Sequence, residues 1–360
     1  MKHTYLLTFY LLIASCTSPT PPEADSVADS DAPIPIKVVV VTMFEPGEDT
    51  GDQPGELQYW AERFPFPEIL PFPQAYHPLR YNAEKQVLAM VTGVGSIRSA
   101  ASVMALGMDP RFDLTNAYWV VAGIAGVDPE DATGGSAVWA EWLVDGDLNH
   151  EIDAREIPDD WETGIFPIDQ TEPYQQPVPE IDGGEVFRLN PQLVDWAYQL
   201  TKDIELEDTE ELQQMRARFV NYPAAQEPPR VMKGDHVAAM TFWHGKKMNT
   251  WANQWVKYWT DGQGEFVTSA MEDTGTAQSL HFLDAAGKVD ADRLLVLRTA
   301  SNFSMPYEGL SAAQSMLNEN EEYSAYVPSL EAAYRVGSEV VNALVAHWDT
   351  YRSQLPSVTE

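Results

Sequence analysis

The chain has 360 residues, of which 44% are hydrophobic and 11% aromatic, and this is enough for one large or two ordinary globular domains. It carries 22 basic and 55 acidic side chains, which gives a formal net charge of −33 at pH 7. Such a charge argues against nucleic acid or anionic lipid as a partner, because binding either requires a cationic surface. The 7 histidines show no metal-ligand spacing, so we expect no metal site and no resident cofactor.

The N-terminus has the pattern of a secretory signal peptide. Lys2 and His3 precede an apolar run that is too short to span a bilayer, and small residues then lead to Cys16, the only cysteine. This junction resembles a bacterial lipobox, in which the cysteine is lipidated and becomes the new N-terminus. We therefore expect residues 1–15 to be a lipoprotein signal and Cys16 to be the lipidation site. The protein would lie on the periplasmic side of a bacterial membrane, outer or inner, held by the lipid anchor alone; the alternative is an ordinary core cysteine.

Residues 16–35 are rich in Pro, Ser, Asp and Ala and have almost no apolar mass. Such a segment cannot bury enough surface to offset its ordering entropy, so it is predicted to be a flexible tether. No later segment is apolar enough to cross a membrane, so the protein is not expected to form a channel or carrier by itself. The remaining chain shows no break in composition, which favours one domain at 36–353 and a tail at 354–360.

The order of elements is typical of an α/β fold. Continuous β-branched and apolar runs predict strands that are buried on both faces. A run of nine residues with alternating character predicts a strand that is half exposed. The buried strands are predicted at 36–42, 87–94, 117–122, 266–271 and 293–299, and the half-exposed one at 136–144. Helical periodicity predicts helices at 96–107, 191–201, 274–283 and 329–348. Trp251, Trp255 and Trp259 recur every fourth residue, which indicates one more helix, packed on the core or on a partner helix.

Two polar signatures follow predicted strands. Met271-Glu272 comes after one strand and Ser301-Asn302 after the next, which places a carboxylate and an amide at neighbouring strand ends. Open α/β sheets bind ligands at the carboxyl ends of their strands. A ligand with hydroxyls and a heterocyclic nitrogen, such as a nucleoside, suits this pair. The alternatives are that Glu272 is an acid favoured at a helix N-terminus and that Asn302 is a turn residue or helix N-cap.

Three glycine-containing segments stand in order before these two signatures. They are Thr92-Gly93-Val94-Gly95-Ser96, Ala122-Gly123-Ile124-Ala125-Gly126 and Gly234-Asp235. Together the five motifs resemble those of the nucleoside phosphorylase/nucleosidase superfamily. More narrowly, the mature chain resembles the purine nucleoside permease family, extracytoplasmic proteins thought to share that fold. The resemblance implies a three-layer α/β/α domain with a central mixed, mostly parallel, twisted sheet.

The resemblance also implies a role for each signature. Glu272, preceded by Met271, would accept hydrogen bonds from the ribose hydroxyls. Asn302 stands where the superfamily has an acid or an amide that meets the purine base; an amide donates a hydrogen bond but no proton, which favours 6-oxopurines over adenine. Phe242 or Trp243 would stack on the base.

The nucleophile is left open between phosphate, as a co-substrate, and water. The residues expected in the phosphate or nucleophile region are Gly47, Gly93, Gly95, Ser96, Arg98 and Arg298. In nucleosidases a glutamate in the loop after the first strand activates water, and Glu45 and Glu48 are the candidates here. Acidic side chains in this loop would repel phosphate, which favours hydrolysis or binding without chemistry.

Two classes of function are compatible with these features. In the first, the protein cleaves the N-glycosidic bond of purine nucleosides during salvage, by phosphorolysis or hydrolysis. In the second, it binds nucleosides without cleaving them and assists their transport. A homo-oligomer remains an open alternative, because members of the superfamily often complete their sites across subunits.

Overall fold

A computed structural model of the protein describes residues 32–180, 183–322 and 325–358. The predicted signal at 1–15, Cys16 and most of the predicted tether lie outside these residues. Within the described ranges no helix is both long enough and apolar enough to cross a membrane.

The strands are short, apart from two of ten residues that form the centre of the fold. In chain order they are β1 (Ile34–Pro35), β2 (Val38–Thr42), β3 (Glu68–Leu70), β4 (Leu79–Asn82), β5 (Val87–Val91), β6 (Phe112–Asp113), β7 (Tyr118–Val127), β8 (Ala137–Trp139), β9 (Trp142–Asp145), β10 (Asn149–Glu151), β11 (Ile165–Pro167), β12 (Val186–Arg188), β13 (Val231–Lys233), β14 (Asp235–Ala238), β15 (Phe266–Ala270) and β16 (Leu294–Phe303). The helices are α1 (Gln58–Arg63), α2 (Ser96–Gly107), α3 (Pro191–Thr201), α4 (Glu210–Arg216), α5 (Pro223–Gln226), α6 (Lys246–Trp259), α7 (Asp273–Ala285), α8 (Ala312–Glu322), α9 (Tyr326–Ala346) and α10 (Trp348–Tyr351), with a 3-10 turn at Ala291–Arg293.

Among the described residues, twelve strands form one mixed sheet, and the other four form two small two-stranded sheets. The main path runs β12-β9-β14-β15-β7-β2-β5-β4-β3, while β16 pairs with β7 and β8, and β8 also pairs with β13. The strands β5, β2, β7 and β16 are parallel to one another. A second parallel group, β9, β14 and β15, runs antiparallel to β7. The sheet is therefore mixed, as predicted.

Helices cover both faces of the central strands. Ala122 on β7 lies beside Gly337 of α9, whereas its neighbour Gly123 faces the side chain of Arg298. Successive residues of a strand point to opposite faces, so α9 and the Arg298 side chain lie on opposite sides of the sheet. Arg298 contacts Asp273, the first residue of α7, which places α7 on the second face. The predicted layered α/β architecture is confirmed.

The predicted strands and helices are present, with shifted ends. The predictions for α2 and α3 have the observed bounds, and the tryptophan stripe lies in α6 with all three indoles buried. The predicted strand at 136–144 is instead two strands, β8 and β9, because β8 pairs with β16 while β9 pairs with β14. Its predicted half exposure was also wrong for β8, which is entirely buried.

The ordered chain extends slightly beyond the predicted domain boundaries. Ile34 and Pro35, assigned from sequence to the tether, pair as β1 with β6. At the other end, Leu355 packs against the core and Pro356 is buried, although both were assigned to the tail. At the first end the contact is with a strand distant in sequence, and at the second it is with the hydrophobic core.

Helices α2 and α7 pack closely enough to require glycine. A Cβ added to Gly275 of α7 would lie 2.3 Å from the carbonyl oxygen of Ser96 at the start of α2. The first turns of the two helices are also joined by the hydroxyls of Ser99 and Thr276, which lie 2.6 Å apart. This contact sets the spacing between the turn at Gly95 and the side chain of Glu272.

The change Gly275→Ala tests this close approach. The added methyl group meets backbone atoms that cannot rotate away, so we expect the free energy of unfolding to fall by about 1–3 kcal/mol. Urea denaturation followed by circular dichroism measures it. The control is Gly184→Ala, where the nearest atoms to an added Cβ are 3.7 Å and 3.8 Å away and the change should be nearly neutral. Equal losses in the two variants would contradict the assigned contact.

Candidate functional site

A cavity of about 550 Å³ opens where β7 and β16 end and α7 begins. Its wall includes Ile124 and Gly126 of β7, Asn302 of β16, and Met271 and Glu272 before α7. The two sequence signatures are thus brought together, but not by neighbouring strands. Strands β15 and β16 lie on opposite sides of β7, and β15 is antiparallel to it. They converge because Ser269 and Asn302 both pair with Gly126 near the end of β7.

Arg298 is the central charge of the site and is 1% exposed. Its Nη2 atom lies 2.9 Å from Oε2 of Glu272, and its Nε atom lies 3.0 Å from Oδ2 of Asp273. Its Nη1 atom donates to the carbonyl of Ile124 at 3.0 Å. Although burial opposes the charge, Asp273 and Glu272 together raise the pKa of the guanidinium. Every nitrogen of Arg298 is therefore engaged by an acceptor of the protein.

Glu272 lies at the N-cap position of α7, but its side chain does not cap that helix. Its Oε1 atom accepts from the backbone N–H of Gly95 at 3.0 Å, and Oε2 accepts from Arg298 and from the N–H of Met271. This position agrees with the alternative of an acid favoured at a helix N-terminus, but the hydrogen bonds of the carboxylate go to Gly95, Met271 and Arg298 rather than to α7. The turn at Gly95, with φ 98°, is what brings a backbone N–H to this carboxylate.

Glu56 is a site residue that the sequence analysis missed. Its Oε2 atom accepts from the backbone N–H groups of Met43 and Phe44 at 2.7 Å and 3.0 Å, and Oε1 accepts from that of Ile124 at 2.8 Å. Burial raises its pKa to about 7, against the lowering effect of Arg298. Glu56 also lines the cavity, so a carboxyl whose pKa is raised by burial faces it.

The carboxylates proposed from the first loop have other partners. Both oxygens of Glu45 accept backbone N–H groups from Gly55, Leu57 and Gln58, which closes the loop onto the start of α1. Among the described residues that line the cavity there is neither Glu45 nor Glu48, and Glu48 is exposed. The loop does supply a cavity carboxyl, but it is Glu56, eight positions beyond Glu48.

Asn302 lies within β16 rather than in a turn or at a helix N-cap. Its Nδ2 atom donates to the carbonyl of Phe303 at 3.2 Å, and its Oδ1 atom lies 3.0 Å from the hydroxyl of Ser301. A Cβ added to Gly126 would lie 3.3 Å from Nδ2 of Asn302, so the glycine leaves this amide open to the cavity. The amide thus presents a donor group toward the cavity.

The two proposed aromatics both line the cavity, in different environments. Phe242 is 47% exposed, whereas Trp243 is half-buried and packs edge-on against Trp251, with ring centroids 6.0 Å apart. Trp243 is therefore a fixed part of the wall, and Phe242 is an exposed ring at its edge.

The other residues predicted for the nucleophile region lie outside the cavity lining, although the N–H of Gly95 contacts Glu272. Arg98 is exposed and donates to the hydroxyl of Tyr76 and to the carbonyl of Val94. Gly93 is covered by the ring of Tyr76, and Gly47 lies beside Asp52. Among the described residues lining the cavity, Gly47, Gly93, Gly95, Ser96 and Arg98 are absent. Arg298 is the cation of that lining, and its charge is already matched by carboxylates.

Comparison with known proteins identifies the family. The family model described as purine nucleoside permease matches residues 35–356, nearly all of the described chain. The chain belongs to the purine nucleoside permease family. A probable purine nucleoside permease of Schizosaccharomyces pombe is 28% identical over 281 residues, which are 76% of this chain and 80% of that protein. A purine nucleoside permease of Candida albicans is 28% identical over 319 residues, 87% of this chain and 76% of that protein.

Solved structures show that this chain has a known fold. The 5′-methylthioadenosine/S-adenosylhomocysteine nucleosidase of S. pneumoniae superposes with a TM-score of 0.51 at 16% identity, covering 86% of this chain and 99% of that one. The futalosine hydrolase of Helicobacter pylori superposes with a TM-score of 0.52 at 12% identity, covering 86% of this chain and 98% of that one. At such identities the likeness establishes the nucleosidase-like fold and nothing about the reaction.

The change Arg298→Met tests the central ion pairs. Removing the guanidinium leaves Glu272 and Asp273 buried without their counter-charge, so we expect the free energy of unfolding to fall by about 3–5 kcal/mol. Urea denaturation at neutral pH measures the loss.

The matched control is Arg98→Met, which removes an exposed arginine and should cost less than about 1 kcal/mol. A similar cost for the two changes would contradict the assignment of Arg298 as the buried counter-charge.

Proposed function

We propose that the protein binds purine nucleosides in this cavity and cleaves their N-glycosidic bond with water. The observation that carries the proposal is the arrangement of Glu56, Glu272 and Asn302 around one cavity in a chain of this family. A carboxylate can hold the sugar, a second carboxyl can activate water, and an amide can bind the base. The named nucleosidases and nucleoside permeases among its relatives support the same ligand class.

Glu272 is suited to hold the ribose. A carboxylate has about four acceptor positions, and Gly95, Met271 and Arg298 occupy three of them. The remaining position belongs to Oε1, the oxygen bound only by the N–H of Gly95. A ribose hydroxyl that donates to Oε1 would complete the hydrogen bonding of the carboxylate, and its charge would strengthen that bond.

Glu56 is suited to activate water. Its pKa of about 7 matches the requirement for a general base at neutral pH, since such a group is ionised yet basic enough to take a proton. In the proposed step, Glu56 removes a proton from water as the oxygen attacks the anomeric carbon. The bond from that carbon to the purine nitrogen breaks, and its electron pair leaves with the base as an anion held by the amide of Asn302. Glu56 then releases its proton to solvent and the purine anion takes one up from solvent, so the products are ribose and the neutral purine.

The charge of the cavity favours water over phosphate as the nucleophile. Glu56 and Glu272 line it, and Arg298 already contacts Glu272 and Asp273. A phosphate would meet Arg298, whose charge is already balanced by Glu272 and Asp273, and it would be repelled by the carboxylates of the lining. The same reasoning favours neutral nucleosides over nucleotides.

Asn302 is suited to bind the leaving base. Its Nδ2 donates to Phe303 and retains a second hydrogen for the cavity, which can meet N7 or O6 of a 6-oxopurine. An amide stabilises developing negative charge on the base by hydrogen bonding and transfers no proton to it. Inosine and guanosine are therefore proposed as better substrates than adenosine.

The same property of Asn302 favours a second function, nucleoside binding without cleavage in support of transport. Without an acid at this position, departure of the base lacks a proton donor, while the binding contacts of Glu272 remain. The two functions make opposite predictions about release of free base.

Purified protein is expected to release free base from inosine and guanosine without added phosphate, as followed by chromatography. Glu56→Gln should lower kcat by about a hundredfold or more, because the amide cannot accept the proton of water.

The rate of the wild-type protein should also depend on pH. Below pH 7 it should fall about tenfold per pH unit as Glu56, which faces Arg298 and Glu272, becomes protonated.

Glu48→Gln is the matched control, since this exposed side chain should leave the rate unchanged. Base release that depends on phosphate would contradict hydrolysis. Tight binding of inosine with no release under either condition would replace cleavage by the second function.

We also propose that the protein acts outside the cytoplasm, held by a lipid on Cys16. The support comes from the signal pattern and the cysteine at its end. The expected result of Cys16→Ser in a bacterial host is loss of the protein from the membrane fraction after cell lysis, as detected by immunoblot. Wild-type protein that is found uncleaved in the cytosolic fraction would overturn this localisation.

A further inference from the structure

We infer that a buried series formed by Asp273, His236 and Thr268 positions Arg298 and so determines how strongly Glu272 binds a ribose hydroxyl. The inference rests on the proposed binding of ribose at Glu272. It assigns a positioning role to these three residues, none of which is among the described residues that line the cavity.

The series is buried throughout. Asp273, His236 and Thr268 are each 0% exposed. Nε2 of His236 lies 2.6 Å from Oδ2 of Asp273, and Nδ1 lies 3.0 Å from the hydroxyl of Thr268. Although burial opposes it, Arg298 and then His236 hold the pKa of Asp273 well below its usual range, so this side chain is a carboxylate. Its Oδ2 atom lies in ion-pair contact with His236 and also accepts from Arg298, while Oδ1 accepts from Nη2 of Arg298 at 3.0 Å.

The contacts of Asp273 fix the orientation of the guanidinium. Oδ2 lies 3.0 Å from Nε and 2.9 Å from Nη2 of Arg298, so Asp273 holds one edge of the planar group. With that edge occupied, Nη2 has one hydrogen left for Glu272 and donates it to Oε2 at 2.9 Å. Glu272 is therefore bound through a single oxygen, and Oε1 is left to the N–H of Gly95 and to a ligand.

A displaced Asp273 would release that edge. The guanidinium would then be free to bind Glu272 with two parallel hydrogen bonds, the geometry that arginine and carboxylate prefer. Such a pair would occupy Oε1 and remove the acceptor proposed for ribose. His236 opposes this rearrangement because its ring lies 2.6 Å from Oδ2, the oxygen of Asp273 that faces Nε and Nη2 of Arg298.

Thr268 fixes the imidazole in turn. A carboxylate only accepts, so the nitrogen of His236 next to Asp273 carries the hydrogen. The hydroxyl of Thr268 can then donate to Nδ1, which selects the required tautomer. The order Asp, His, Thr resembles that of a nucleophilic triad, but Thr268 is fully buried and Asp273 also pairs with Arg298. The arrangement therefore suits positioning.

The test measures the preference for ribose directly and requires no turnover. Calorimetry compares 9-deazainosine, whose carbon–carbon glycosidic bond is not hydrolysed, with its 2′,3′-dideoxy form. Wild-type protein should bind the first more tightly. In His236→Leu this preference should fall about tenfold, the effect of losing a hydrogen bond to a charged group, with little change for the dideoxy ligand. Thr268→Val should lower it by about threefold.

Two variants separate positioning from general damage to the fold. His236→Gln places an amide N–H near the position of Nε2 and should retain most of the preference. Thr260→Val is the matched control for Thr268→Val, since it also removes a buried hydroxyl, one that accepts from the N–H of Gly264 at the end of α6. It should leave the preference unchanged. If His236→Leu does not fold, the inference is decided by comparing the preference for ribose in Thr268→Val with that in Thr260→Val.

Each outcome has a distinct meaning. Loss of preference in His236→Leu and Thr268→Val, with retention in the other two variants, supports the inference. Equal weakening of both ligands would show a merely structural role and overturn it, while ribose binding at Glu272 stands. A wild-type protein that binds the two ligands equally would overturn the binding of ribose by Glu272, and the inference with it.

Discussion

The interaction on which the site depends is the burial of one guanidinium among carboxylates. Arg298 is 1% exposed, and a charge in such a place costs several kcal/mol unless it is paired and hydrogen-bonded. Glu272 and Asp273 supply the pairing from the start of α7, and the carbonyl of Ile124 supplies a further acceptor from β7. Because a guanidinium is planar and its donors are fixed, meeting these acceptors determines where each carboxylate must lie. The positions of Glu272, Asp273 and Ile124 around the cavity therefore follow from the hydrogen bonds and ion pairs of Arg298.

Backbone N–H groups also hold the carboxylates of the site in place. Glu272 receives the N–H of Gly95, and Glu56 receives those of Met43, Phe44 and Ile124. These donors belong to the turn before α2, the loop after β2 and the strand β7, which the packing of the sheet and of α2 against α7 holds in place. A carboxylate held in this way has little freedom to reorient when a ligand enters. Preorganisation of this kind lowers the cost of binding and of charge development during a reaction.

Local sequence was sufficient for the elements but not for the long-range contacts. The bounds of α2 and the position of Glu272 after a buried strand followed from periodicity and from the Met-Glu signature. Glu56 carries no such signal, because its role comes from Ile124, which lies 68 positions away, and from Arg298. Arg298 was placed near the site, but its three nitrogens bind protein acceptors, so its expected role in holding phosphate has no geometric support. The carboxylates that match it could be recognised only once α7 and β16 were known to meet.

The amide at Asn302 is consistent with the same charge balance. Its Nδ2 donates to the carbonyl of Phe303, so a carboxylate at this position would place a negative oxygen against that carbonyl. It would also add a further acid to a cavity that already contains Glu56 and Glu272, with Arg298 shared among them. An aspartate would therefore be favoured only in its protonated form. Asparagine provides a donor at every pH without that cost. In the proposed cleavage, a departing base would therefore be stabilised by hydrogen bonding rather than by proton transfer.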